Sequence, residues 1–295
     1  MNPSFAPLAD RGVLEVASAD HVTFLQGLVS NDVAKAAAAP VYAALLTAQG
    51  KYLHDFFVVA LGDALYLDCE RARLGDLQRR LSLYKLRSKV TLTDASARLV
   101  VAAAWSDNAL AKLDLAAGAA KPFADGLAYA DPRLAALGAR FLVPAGREGD
   151  IAAVGFARSD AAAYDRHRLA LGVPDGSRDL EVEKSILLEN GFEELNGVDF
   201  AKGCYMGQEL TARTKYRALI RKRLVPVTVE GPLPAPGTSV TRNGEEVGEL
   251  RSGRDGTALA MLKLDALDGP LSAGAAKLAA HPPDWMKFNA NNDRA

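Results

Sequence analysis

The sequence predicts an α+β fold that ends in a small antiparallel β-barrel, on three observations. Short apolar strands recur through the first 225 residues, a few intervening segments carry helical spacing, and past Arg223 the chain changes to short strands separated by Gly and Pro turns. The 295 residues, 49% of them hydrophobic, suffice for one large domain and one small one. The expected division is 1–225 for the larger domain, 226–285 for a barrel or sandwich with the barrel preferred, and 286–295 for a disordered tail.

In chain order, residues 20–33 read as a helix capped by Asp20, with Phe24, Leu25, Leu28 and Val29 on its apolar face. Residues 41–47 form a short apolar strand ending in the turn Gln49-Gly50. Residues 55–60 and 64–70 pair across Leu61-Gly62-Asp63 as a hairpin, and Cys69 falls at an alternating, core-facing position in the second strand. Leu74, Leu77, Leu81 and Tyr84 sit at helical spacing in 71–84. Strands come next at 89–93 and 98–105, then a weakly specified helix or loop at 109–120, then a strand near 140–143. Ser159-Asp160 caps a helix that Gly172 and Pro174 terminate. Toward the C-terminus, Pro232 to Gly237 is a turn cluster, and Asn243-Gly244 signals a type I′ hairpin.

Formal net charge is −1, which gives no basic surplus for a nucleic-acid backbone. The local basic cluster Arg217, Arg221, Lys222 and Arg223 reads as a solvated turn entering a strand. No run of about twenty apolar residues is present to span a membrane, and no secretory leader is recognisable. Two distant cysteines make no disulfide framework, so a reducing cytoplasm is the expected location.

The chemistry concentrates in residues 202–209, Lys-Gly-Cys-Tyr-Met-Gly-Gln-Glu. Lys202 stands two residues before Cys204, where an ammonium would favour the thiolate that attacks electrophiles and binds metal. Gly203 and Gly207 permit backbone angles closed to other residues. Gln208 and Glu209 open a helical first turn, which would put Cys204 near a helix N-terminus. The chain alone makes a poor metal site. Clusters usually take about four cysteine ligands, and His21, His54, His167 and His281 show no metal-binding spacing.

The string 202–209 resembles the signature of the YgfZ-type folate-binding proteins of the glycine-cleavage T-protein (aminomethyltransferase) superfamily. The runs 195–200, 209–214 and 220–227 are similar to the mitochondrial iron–sulfur cluster assembly branch of that family. Further matches are Phe24-Leu25-Gln26-Gly27-Leu28-Val29-Ser30-Asn31-Asp32-Val33, Leu45-Leu46-Thr47-Ala48-Gln49-Gly50-Lys51 and Leu86-Arg87-Ser88-Lys89-Val90, all in the family's order.

The resemblance implies a three-lobed ring around a central tetrahydrofolate-type cavity, followed by the small barrel. It also implies a partner, an A-type cluster carrier, that would share a [2Fe–2S] or [4Fe–4S] cluster through Cys204 as one metal ligand. Tyr205, Gly203, Gly207, Gln208 and Glu209 then belong to the cofactor-binding segment. Lys51 and Asp55 match the loop and strand where the T protein carries its catalytic aspartate, with His54 the neighbouring alternative. Tyr164 and Arg168, one helical turn apart, would line the folate cavity, the ring stacking on a pterin and the guanidinium pairing with a glutamate tail. Many such chains carry an acid where Ala170 stands, a departure that weakens pterin recognition here.

Three functions remain open on this reading: a cluster-assembly factor using Cys204, a tetrahydrofolate-dependent one-carbon transferase using Asp55, or a non-catalytic folate-binding scaffold. The first leads, because aminomethyl transfer needs no thiol at position 204. An assembly factor is thus favoured over a conventional enzyme.

Overall fold

A computed structural model describes residues 2–217 and 220–288. The described residues divide into two compact units, the first made of 2–48, 53–164 and 195–206, the second of 49–52, 165–194, 207–217 and 220–288.

The first unit contains β1 (Ser4–Pro7), β2 (Arg11–Ala17), α1 (His21–Gln26), β3 (Val41–Leu46), β4 (Tyr52–Leu61), β5 (Ala64–Glu70), α2 (Leu74–Tyr84), β6 (Thr91–Asp94) and β7 (Leu99–Trp105). It continues with α3 (Ala109–Lys112), β8 (Ala120–Phe123), β9 (Gly126–Ala130), β10 (Ala139–Pro144), α4 (Gly149–Ala153) and β11 (Ala157–Arg158), and α5 (Ala161–Ala170) leads out of it. One sheet runs β3-β4-β5-β2-β6, the other β11-β1-β7-β10-β9-β8. β3 and most of β4 are buried on both faces, which is why β3 reads as a continuous apolar run. α2 buries Leu74, Leu77 and Leu81, at about 1.5–3 kcal/mol each.

The expected helix at 20–33 is much shorter. α1 stops at Gln26 because side chains at and beyond its end take over the backbone's hydrogen bonds. Gln26 Oε1 accepts from Val33 N, Ser30 Oγ from Ala44 N, and Asn31 Oδ1 from Asp32 N. Asp20 does not cap α1; its carboxylate accepts from Lys89 N instead. The stretch 109–120 resolves into the four-residue α3 and the approach to β8. β1, β2 and the hairpin β8–β9 carried no turn signal strong enough to read. The hairpin turns on Ala124 and Asp125, both at positive φ, where an Asn-Gly pair would have announced it.

Between the two sheets lies a buried ion network. Asp68 of β5 accepts from Arg11 Nε (2.6 Å) and Arg140 Nη2 (2.6 Å), and Asp131 holds Arg133 (2.8 Å). The Phe57 ring faces three guanidiniums at 4.1, 4.8 and 5.7 Å from its centroid. Burial alone would push the Asp68 carboxyl up, but Arg11 and Arg140 outweigh it and hold the pKa down.

The second unit holds α6 (Gln208–Tyr216) and strands β12 (Lys222–Glu230), β13 (Ser239–Arg242), β14 (Glu245–Arg254), β15 (Thr257–Lys263), β16 (Leu271–Ala273) and β17 (Ala276–Ala280). These strands close into a barrel in the order β12-β15-β14-β13-β16-β17, with Val225, Val227, Val240, Leu250 and Leu278 in its core. Asn243 (φ 53°) and Gly244 (φ 85°) make the type I′ turn. Met286 is buried in the barrel core and does not belong to a disordered tail; 289–295 lie outside the described residues.

Asp68→Asn should cost about 3–5 kcal/mol, because it removes the carboxylate charge that Arg11 and Arg140 share and leaves Arg140 the longer 3.8 Å contact to Asp131. Urea unfolding followed by circular dichroism checks this. Asp68 is depressed when folded, so its stability is present above the unfolded carboxyl pKa and is lost as pH falls toward the native one. The variant should therefore lose less stability in acid than the wild type.

Candidate functional site

Cys204 is exposed, and the segment carrying it is tied to the end of α1 on both sides of the thiol. Before it, Ser30 Oγ donates to Gly197 O (2.6 Å), and Asn31 Nδ2 donates to Asn196 O (2.7 Å) and to Tyr42 O of β3 (2.8 Å). Asp199 N donates to Ser30 O, and Lys35 Nζ reaches Asp199 Oδ2 at 2.6 Å. Lys202 Nζ then donates to Gln26 O (2.7 Å) and Val29 O (2.6 Å). Past the thiol, Met206 N donates to Gly27 O (3.1 Å). The loop is a stirrup with Cys204 at its tip. Gly203 takes φ +93° there with open space around it, so backbone conformation alone explains the glycine.

This geometry corrects the expected role of Lys202. Its ammonium serves the carbonyls at and beyond the C-terminal end of α1, groups that a helix leaves without partners. It also lies 5.2 Å from the centroid of the Tyr205 ring. Burial pushes the Lys202 pKa down to about 8, with Asp32 and Asp199 pulling the other way. Lys202 therefore fixes the loop rather than pairing with the thiol. Cys69, by contrast, is buried in β5, and burial pushes its thiol up to about 12. The two cysteines differ in kind.

In the second unit the turn at Gly50-Lys51 meets the start of α6. Gly50 has φ +82°, and a Cβ there would lie 2.6 Å from both Gly207 O and Leu210 Cβ. Gly207 itself sits at φ +79° as the residue before the first turn, in which Gln208 is half-buried and Glu209 exposed. Two glycine-bearing segments far apart in sequence thus meet backbone to backbone. Lys51 and Lys222 both act on Glu189, whose carboxyl burial pushes up and these two cations pull down. Glu189 and Lys222 line a polar cavity of about 260 Å³ with Glu181, Lys184, Arg251 and Lys263. The sequence reading missed this cavity because its charges come from four separate segments.

Asp55 is buried in β4 and accepts from Tyr42 Oη at 2.9 Å. Alternation along the strand puts it on the same side as Phe57, toward the ion network, and His54 on the other side. His54 meets Asp76 of α2 at 2.9 Å. Burial and the Arg73 charge push the imidazole down to about 4, against the pull of Asp76.

Tyr164 and Arg168 do not form a ligand clamp. Tyr164 is buried with its ring 5.4 Å from Trp105 and its hydroxyl 3.5 Å from Arg140 Nη1. Arg168 is buried and donates to Asp165, Asp179, Val173 O and Ser252 Oγ, which leaves no free fork for a glutamate tail. The basic-turn reading fails at Arg223, which is buried and donates to Leu188 O and Glu194. No group of three or more His, Cys, Asp or Glu side chains among the described residues is arranged to hold a metal ion.

Residues 221–288 match the family model "CAF17, C-terminal beta-barrel domain". The chain is 37% identical to the human "Iron-sulfur cluster assembly factor IBA57, mitochondrial", over 94% of this chain and 84% of that protein. The mouse protein of the same name is 34% identical over the same shares. The homologue from Mycosarcoma maydis is 38% identical over 76% of this chain and 56% of its own. The fold is that of the glycine cleavage system aminomethyltransferase T from Bartonella henselae, with a TM-score of 0.77 at 14% identity over 97% of this chain and 86% of that one. The relatives' names point to mitochondria, which overturns the cytoplasmic expectation drawn from cysteine usage.

Lys202→Met should leave the fold intact and loosen the stirrup, so that amide hydrogen exchange at Met206, whose N–H donates to Gly27 O, speeds up by about tenfold or more. Unchanged exchange would contradict the anchoring role. His54→Gln should flatten the acid limb of stability. The native imidazole is held neutral, so its contribution is full above about pH 6.5 and is lost as pH falls toward about 4. Between pH 7 and 4.5 the wild type should lose roughly 2–3 kcal/mol more than the variant in denaturant titrations.

Proposed function

The chain belongs to the IBA57 family of iron–sulfur cluster assembly factors, and from that premise we propose that it presents Cys204 as a protein ligand to a cluster shared with an A-type carrier. The observation that carries this reading is an exposed thiol at the tip of a loop anchored on both sides. A group that must meet ligands on another protein has to be accessible, and it binds more tightly if its position is fixed beforehand. One thiolate supplies a fraction of the ligands that a [2Fe–2S] or [4Fe–4S] cluster takes, so the partner supplies the remainder. The cluster is cargo here, and the protein's work is to hold and orient one of its ligands.

A folate-type ligand is the finer expectation attached to this fold. Asp55, hydrogen-bonded to Tyr42, is the residue best able to meet such a ligand's nitrogens. The residues expected to stack on it and to pair with its tail, Tyr164 and Arg168, are committed to Trp105, Arg140 and the aspartates around Arg168. The site does not fit tetrahydrofolate as expected, and no step of the proposal passes through it.

Cys204→Ala should fold normally, with Tm within about 2 °C of wild type, as expected for an exposed side chain. Anaerobic reconstitution with an A-type carrier should give a visible circular dichroism band in the wild-type mixture that the variant mixture lacks. Equal bands from both mixtures would remove Cys204 as a ligand and return the one-carbon reading centred on Asp55.

A further inference from the structure

Of the large apolar side chains that stand exposed, three lie within four residues: Leu83, Tyr84 and Leu86, the last 91% exposed. Leu86 also has φ +37°, in the left-handed region where a leucine is strained. Folding gains nothing from exposing a leucine in a strained conformation, and such outliers cluster at binding surfaces. The loop is nevertheless well ordered by hydrogen bonds. Lys85 N donates to Ser82 O and Ser88 N to Lys85 O, while Asp20 and Lys89 exchange bonds in both directions, Asp20 N to Lys89 O and Lys89 N to Asp20 Oδ2. Around the apolar group stand Lys85, Arg87 and Lys89, and no ion pair engages these three among the described residues. The Asp20 carboxylate bonds to the loop's backbone, at Lys89 N.

This loop sits at the N-terminal end of α1, through Asp20, and the Cys204 stirrup sits at the other end, through Gln26, Gly27 and Val29. Six helical residues separate them, a span of about 9 Å. Thr23 and Gly27, four positions apart and both exposed, continue the surface along one face of the helix.

We propose that the cluster carrier docks along this face, its acidic rim on Lys85, Arg87 and Lys89, an apolar notch over Leu83 and Leu86, and its thiols brought to Cys204. The inference rests on the shared-cluster reading and adds the surface and the partner's chemistry to it. An occupant that reaches Cys204 has to supply thiols, which selects a protein over a lipid surface. Preformed cations give orientation and fast encounter, and the exposed leucine gives a buried anchor once docked.

The test is isothermal titration calorimetry of an apo A-type carrier into the full chain. Leu86→Asp and the triple variant Lys85→Glu, Arg87→Glu, Lys89→Glu should each weaken binding at least about tenfold, with Tm unchanged. Added salt should weaken wild-type binding and leave the residual binding of the triple variant nearly constant. Wild-type affinity in both variants would overturn the docking face while leaving Cys204 as the ligand. Absence of carrier binding by the wild type would overturn both readings. Sedimentation with phosphatidylserine vesicles that the triple variant loses, at unchanged carrier affinity, would assign the loop to a membrane instead.

Discussion

Two small side chains, Ser30 and Asn31, hold the molecule's reactive end in place. Ser30 Oγ links β3 to Gly197, and Asn31 Nδ2 bridges β3 to Asn196, so the edge strand of one sheet and the loop at 196–197 share one clasp. Each is buried, where an unmade hydrogen bond is expensive, so the clasp leaves the loop little freedom. The residues between the clasp and the thiol depend on it. Asp199 closes onto Ser30 and Lys35, Lys202 reaches back to α1, and Cys204 is left facing outward.

The division of labour between the two thiols arises from burial. Cys69 sits among the strands beside the Asp68 ion network, and burial holds its thiol protonated. Cys204 stands outside any such environment. The ion network below β4 does different work: it joins two sheets through Asp68, and its arginines stack on Phe57, which fixes the surroundings of Asp55 without recruiting it to the stirrup.

Much of this was legible in the sequence wherever local chemistry decides structure. The barrel, the hairpin at Asn243-Gly244, the helix expected at 71–84 and found at Leu74–Tyr84, and the segregation of Cys69 from Cys204 rest on periodicity, turn residues and neighbouring polarity. The site was legible as a motif but not as a mechanism. Lys202 lies beside Cys204 in sequence, yet its partners are carbonyls about 175 residues away, and no spacing rule reports a side chain that reaches across a fold. Arg168 and Arg223 failed for the same reason, since a guanidinium in a sequence carries no mark of the distant aspartate or glutamate that will bury it. Residues 20–33 misled because their apolar spacing is helical while Ser30 and Asn31 bond the backbone out of the helix. Location could not be read from two cysteines at all.

Native mass spectrometry of the chain mixed anaerobically with an A-type carrier and reconstituted with iron and sulfide tests the central claim most directly. A heterocomplex carrying the mass of one cluster, lost when Cys204 is replaced by Ala while both proteins stay folded, is the predicted result. A cluster retained on the carrier alone, with no cluster-bearing heterocomplex from the wild type, would contradict it.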